Sequence, residues 1–165
     1  MKSNKEKEFL SLVEKHQNLI HKICRLYTKS SVEHKDLFQE ITIQLWNAYP
    51  KFRGDSKFST WMYRVGINTA ITLYRKSKRR IKSFSIEDVA YKVPHSESYD
   101  ELEDQQLKSI YQAVQALNDI EKAVVFLYLE DKSYKEISDT IGISEGNARV
   151  KINRIKKKLK KQLNP

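Results

Sequence analysis

The stretch from Ser133 to Leu159, SYKEISDTIGISEGNARVKINRIKKKL, most restricts what this chain can fold into. Ser133 with Glu136 three residues later has the spacing of a capping box, in which each residue satisfies an orphan amide at a helix start. Ile137 and Ile141 then fall on one helical face. Gly142 supplies the left-handed backbone that closes a helix without a Cβ clash. Ser144 can cap the next helix, and Glu145 suits its positive N-terminal end. In that second helix Ala148, Ile152, Ile155 and Leu159 make an inward stripe. Asn147, Arg149, Lys151, Asn153, Arg154, Lys156 and Lys157 make an outward one. An ordinary helical hairpin with a solvated charged face shares the spacing. The glycine turn combined with one-sided basic charge favours a helix-turn-helix that reads DNA.

Charge widens that inference to the whole chain. Across 165 residues, 31 Lys and Arg oppose 21 Asp and Glu, a formal charge of +10. That excess favours a polyanionic partner, either nucleic acid or an acidic membrane surface. Four glycines and three prolines among long amphipathic runs predict an all-α protein of one domain or two small ones. The single cysteine, Cys24, excludes an internal disulfide and suits a reducing cytosol. The longest apolar run, Ala123 to Leu129, is too short to span a bilayer, and MKSNKEKEF lacks a signal peptide's apolar core. The expectation is a soluble cytoplasmic protein.

A first helix is expected from Lys5 to Thr28, with Phe9, Leu12, Val13, Leu19, Ile20, Ile23 and Tyr27 as its apolar members. His16 and His21 are five apart and do not share a face as a metal pair would; no metal site or cofactor is expected. Ser30 and Glu33 offer a second capping box, opening a helix to about Tyr49 with Leu37, Ile41, Leu45 and Ala48 inward. Off that stripe, Ile43 and Trp46 among polar neighbours suggest a docking surface, although Trp46 could equally complete the core. Pro50 ends the helix, and a loop with Gly54-Asp55 at its tip leads to a third helix from Phe58 to about Arg80. Between Lys51 and Lys82 lie ten Lys and Arg and one acid, interleaved with Phe52, Phe58, Trp61, Tyr63 and Tyr74. Bases stack on rings while cations follow phosphates, so the cluster is assigned to single-stranded nucleic acid, with Trp61 itself expected in the core.

Composition then reverses. From Ser83 to Gln106 seven acids face Lys92 alone, and Val93-Pro94 with several serines breaks the periodicity. An acidic flexible linker is expected over 83–101, either a solvated spacer or a mimic of a nucleic-acid strand. Helical spacing resumes through Leu107, Ile110, Val114 and Leu117, and Asn118-Asp119 caps a helix from Ile120 to Glu130 bearing Val124, Val125, Leu127 and Tyr128. These two helices and the helix-turn-helix make a four-helix module.

Two of these stretches together resemble the extracytoplasmic-function group of bacterial sigma factors. One is DLFQE followed by FRGDSKFSTWMYRVGINTA; the other is SYKEISDTIGISEGNARVKINRIKKKL. They occur in family order on either side of a divergent linker, and the resemblance leaves out little besides that linker. It implies an all-α fold of two small helical modules: 1–82, like sigma region 2, for polymerase docking and promoter melting, and 102–165, like region 4, for upstream recognition. The implied partners are core RNA polymerase, through its clamp coiled coil and flap, and promoter DNA both duplex and single-stranded. The family is often held inactive by an anti-sigma factor, which no residue here identifies. In DLFQE the resemblance places Asp36, Gln39 and Glu40 on polymerase, with Trp46 on the same docking helix. Phe52 and Asn68 match positions of the pocket for a base flipped from the melted strand, and Arg53, Lys57 and Trp61 join them as candidates. An extruded base needs an apolar wall and a group to bond its edge. Arg149, Val150, Asn153 and Arg154 match the upstream reading surface, with Lys151 on phosphate. Val150 departs from the small polar residue usual there and suits a thymine methyl.

The implied function is a promoter-specificity subunit with no catalytic residues. A helix-turn-helix repressor or activator acting alone is the main rival, and it needs neither the aromatic-basic segment nor the DLFQE surface. A nucleic-acid-modifying enzyme would need a carboxylate-metal or nucleophile-base set that is absent from the sequence. There is also no G-x-x-x-x-G-K-[ST] loop for ATP.

Overall fold

The computed structural model describes residues 2–83 and 101–164, and these fall into two units divided between positions 93 and 94. No strand occurs among the described residues. The first unit holds α1 (Lys2–Tyr27), α2 (Ser31–Ala48), a 3-10 turn (Tyr49–Lys51) and α3 (Phe58–Ser83). The second holds α4 (Glu101–Gln115), α5 (Asp119–Leu129), α6 (Tyr134–Ile141) and α7 (Glu145–Leu163). The expected linker thus lies outside the described residues except at its two ends.

In the first unit all three helices pack on one another. Ser30 caps α2, its Oγ accepting from the Glu33 amide at 2.9 Å. The expected reciprocal bond is displaced by one residue: the Glu33 carboxylate accepts from the Lys29 amide at 2.8 Å. Leu37, Ile41 and Leu45 are buried as their spacing requires, while Ala48 is half-buried. Pro50 does not cut the chain into a loop at once. It sits inside the 3-10 turn, where its missing N–H leaves no carbonyl unserved. On α1 the stripe Phe9, Val13, Ile20, Ile23 and Tyr27 is buried, Leu12 and Leu19 are half-buried, and Cys24 is buried with them. Burial pushes the Cys24 thiol up to about 12, so it behaves as a small hydrophobe.

The inner face of α3 carries Met62, Tyr63, Ile67, Ala70 and Ile71. Between them Gly66 marks the closest approach of three helices. A Cβ there would stand 3.0 Å from Ile23 Cδ1 and 3.6 Å from Ile41 Cγ2.

The second unit is built around α5, which is buried without interruption from Glu121 to Leu127. Asn118 forms a complete capping box with Glu121, as its position before the apolar run predicts. Two charges inside this helix are satisfied from distant positions. Glu121 accepts from Lys158 Nζ of α7 at 2.9 Å, and Lys122, only 1% exposed, donates to Gln115 Oε1 at 3.2 Å. On α4 the expected stripe shifts. Ile110 is 47% exposed and Ala113 is buried in its place, while Leu117, just past the helix end, is buried as expected. A small residue at the contact lets α4 lie close, which a stripe of branched side chains would prevent. Val114 is half-buried, and the side chain of Leu107 lies outside the described residues.

Candidate nucleic-acid interfaces

The turn between α6 and α7 is assembled entirely from local hydrogen bonds. Ser133 Oγ accepts from the Glu136 amide at 3.1 Å, and the Glu136 carboxylate accepts from the Ser133 amide at 3.2 Å. Gly142 adopts φ +83 and its amide returns to the Ser138 carbonyl at 2.8 Å, closing α6. The Ser138 hydroxyl donates to the Ile143 carbonyl, tying the far side of the turn. Ser144 then caps α7, accepting from the Asn147 amide at 3.1 Å.

These caps set the rotation of α7. Ala148, Ile152 and Ile155 are buried, Leu159 is half-buried, and the opposite face is open. Arg149, Asn153, Arg154, Lys156 and Lys157 are exposed there, as is Val150 at 45%; Lys151 is half-buried at the edge. Two cations are held from below by rings. The Arg149 guanidinium stands over Tyr134 of α6, 5.0 Å from its centroid, and Lys156 Nζ over Tyr128 of α5 at 4.6 Å. A hydrogen bond with the Tyr128 phenol holds the Lys156 ammonium above its ordinary range.

In the first unit, α2 turns Asp36 and Gln39 fully outward and leaves Glu40 half-buried, accepting from Gln44 Nε2 at 3.0 Å. Ile43 and Trp46 share this outward face, and so does Val32, which the sequence reading overlooks although it sits four residues before Asp36. Trp46 is partly packed and partly open. Its ring packs on Phe9 with centroids 5.0 Å apart, yet 40% of the residue remains exposed.

Gly54, at φ +78, allows the loop after the 3-10 turn to fold back, and the Phe52 amide donates to the Tyr49 carbonyl at 3.0 Å. Phe52 is half-buried among three rings: Trp61 at 5.0 Å, Phe58 at 5.8 Å and Tyr49 at 6.4 Å. Trp61 is likewise half-buried, less sheltered than a core assignment requires. Arg53 and Lys57 are exposed on the same loop. On the α1 side of Phe52 lies an open groove of about 660 Å³, walled by Trp46, Tyr49, Phe52 and Phe58 and edged by Lys5 and Arg53. Burial and the neighbouring Glu8 carboxylate hold the Tyr49 phenol above its ordinary range.

Asn68 does not line this groove. It is exposed on α3, two turns beyond Trp61 on the same face, a rise of about 10 Å. Phe52 and Trp61 therefore come together, and Asn68 lies further along their stripe. Beyond it Arg75, Lys76, Lys78, Arg79 and Arg80 are all exposed.

Three of the four histidines lie within the described residues. His16 lies against Phe58 at 5.5 Å, and His21 Nδ1 is 2.9 Å from His34 Nε2, with Phe38 stacked at 4.6 Å. Burial holds all three imidazoles below their ordinary range. Among the described residues no three His, Cys, Asp or Glu converge as metal ligands, and no helix is long and apolar enough to cross a membrane.

Comparison with known proteins agrees with this layout. Residues 12–80 match the family model of sigma-70 region 2, and residues 107–159 match that of sigma-70 region 4. The RNA polymerase sigma-H factor of Pseudomonas aeruginosa is 31% identical over 170 residues, spanning 97% of this chain and 88% of that protein. The ECF RNA polymerase sigma-E factor of Escherichia coli K12 is 27% identical over 172 residues, with the same coverage. Two solved structures share the fold. One is the sigma factor RpoE with the anti-sigma factor NepR from Bartonella quintana, TM-score 0.76 at 19% identity over 95% of this chain and 97% of that one. The other is CnrH with the cytosolic domain of CnrY, TM-score 0.68 at 20% identity over 96% and 89%.

Proposed function

We propose how two modules divide one task from a single premise: the chain belongs to the extracytoplasmic-function group of RNA polymerase sigma factors. It binds core RNA polymerase and directs it to specific promoters, where transcription then starts. In our reading residues 1–82 dock on polymerase and capture the melted strand, 83–101 connect, and 102–165 read the upstream element. The chain contributes specificity and acts in the cytoplasm. Any chemical step belongs to polymerase.

The observation that carries the upstream assignment is the rotation of α7. The helix buries Ala148, Ile152 and Ile155 and so offers Arg149, Val150, Asn153 and Arg154 together to a major groove, with Lys151 on flanking phosphate. Downstream, Phe52 and Trp61 offer ring faces to an unstacked base, Arg53 and Lys57 take phosphates, and Asn68 bonds a neighbouring base edge further along α3. Flipping a base costs a few kcal/mol, and aromatic stacking returns about 1–3 kcal/mol. The exchange is nearly balanced, so opening requires polymerase as scaffold. Asp36, Gln39, Glu40 and Trp46 form the contact to its clamp, and the second module contacts its flap. RpoE was solved with the anti-sigma factor NepR and CnrH with the cytosolic domain of CnrY, and we extend an anti-sigma partner to this chain.

The experiment is reconstituted transcription from a promoter library with core polymerase, with and without the protein. Start sites that appear only with the protein, and vanish when Arg149 and Arg154 are replaced together by Ala, support the assignment. Start sites indifferent to that pair would remove α7 from the reading surface.

A further inference from the structure

We infer that Tyr134 is a positioning residue for promoter reading: its ring holds Arg149 in the pose from which α7 addresses DNA. This rests on the assignment of α7 to the upstream element and adds a residue outside that helix. Recognition helices meet base edges through their N-terminal residues, and Arg149 lies in the first turn and a half of α7. A free arginine there would sample many rotamers and would lose that freedom on binding.

The structure removes much of that freedom beforehand. Tyr134 is the first residue of α6, immediately after Ser133, whose reciprocal capping box with Glu136 fixes the backbone at that point. Ile137 of α6 and Ala148 and Ile152 of α7 are buried, and the two helices pack on each other, which fixes the second against the first. Tyr134 is half-buried, and the Arg149 guanidinium stands over its ring, 5.0 Å from the centroid. A cation above a ring is attracted through the π face, while the N–H groups at the guanidinium rim stay free for a base or phosphate. The device recurs two turns later, where Lys156 stands over Tyr128 of α5. Seven residues apart, Arg149 and Lys156 share one face of α7, and each takes its ring from a different supporting helix.

A double-mutant cycle on the full chain bound to core polymerase tests this, reading affinity for a cognate promoter and for one with its upstream element scrambled. Tyr134→Leu keeps apolar bulk, and it should lose about three- to tenfold affinity for the cognate promoter alone. In an Arg149→Ala background the same change should add nothing, and Tyr134→Phe, which keeps the ring face, should behave as the native chain. Equal losses in both backgrounds would make Tyr134 a packing residue and overturn the inference while leaving the reading by α7 intact. No loss from Arg149→Ala would overturn both. On the native chain, independent of any variant's folding, NMR should find the Arg149 side-chain protons shifted upfield by the Tyr134 ring current. Random-coil shifts would overturn the positioning directly.

Discussion

Replacing Phe52 by Ala separates the two things its ring does. In the free protein Phe52 is half-buried against Trp61, Phe58 and Tyr49. Full truncation of a core Phe costs about 3–5 kcal/mol, so a half-buried one costs about 1–2 kcal/mol. A domain with about 5–15 kcal/mol in hand stays folded. In the proposed capture the ring additionally stacks on an unpaired base, worth about 1–3 kcal/mol, which converts to roughly 5- to 150-fold in the open complex. Permanganate reactivity of unpaired thymines reads opening, and a nuclease footprint of the upstream element on the same samples reads docking. Phe52→Ala should cut the first and spare the second, because α4 to α7 carry their own core. Phe52→Leu is the decisive control. It restores most apolar packing without a π face, so stability should recover while opening stays low. Full opening with Phe52→Leu would show that packing, and not stacking, is what the loop contributes. Native opening with Phe52→Ala would remove Phe52 from the strand-capture site altogether.

Glu40→Lys reverses a charge on the outward face of α2 and should weaken polymerase affinity about tenfold, roughly 1.4 kcal/mol; a competition assay with undiminished affinity would exclude that face. Gly66→Val places branched bulk 3.0 Å from Ile23 and should cost about 1–3 kcal/mol by urea unfolding, since helix propensity returns little; an unchanged midpoint would mean the three-helix junction is loose. Burial holds His21 and His34 below their ordinary value of 6.5, helped by Arg25 at His21 and by His21 and then Arg25 at His34, so the unfolded chain binds protons that the folded chain refuses. Stability should therefore be full above pH 6.5 and fall as pH drops through the lowered values, and His34→Gln should flatten that fall in urea unfolding at successive pH; an unchanged slope would place the proton uptake elsewhere.

What could be read from the sequence is whatever has local chemistry. Ser133, Glu136, Gly142 and Ser144 act on backbone within a few residues, so the α6–α7 turn and the outward face of α7 follow from spacing alone. Interactions between distant positions were not legible. Glu121 and Lys122 look like a solvated helix start, and they are buried because Lys158 and Gln115 serve them. The His21–His34 bond joins two helices whose relative phase no periodicity reports. The α4 stripe went wrong at Ile110 for a related reason: hydrophobicity favours isoleucine over Ala113, whereas the contact selects for closeness. In the site proposed for the melted strand the sequence offers Phe52 and Asn68 as equals, but only Phe52, on the loop that turns at Gly54, borders the groove.

That turn matters energetically. Six residues, 52–57, separate the 3-10 turn from α3. Ordering a backbone residue costs about 1–2 kcal/mol, so a loop that became ordered only on DNA would cost on the order of 10 kcal/mol. One stacked base returns about 1–3 kcal/mol and could not offset it. Capture is favourable only if the loop is set beforehand, and the structure shows how. Phe9 touches Trp46 and Tyr49, Tyr49 stacks on Phe52 with planes 17° apart, and Phe52 meets Trp61. Pro50 and the Phe52–Tyr49 backbone bond restrain the chain between those rings. One aromatic lattice therefore runs from the outward face of α2, proposed to dock on polymerase, to the loop proposed to capture a base. Its two ends are fixed by the same packing, which is why the proposed site would need no ordering step when the strand arrives.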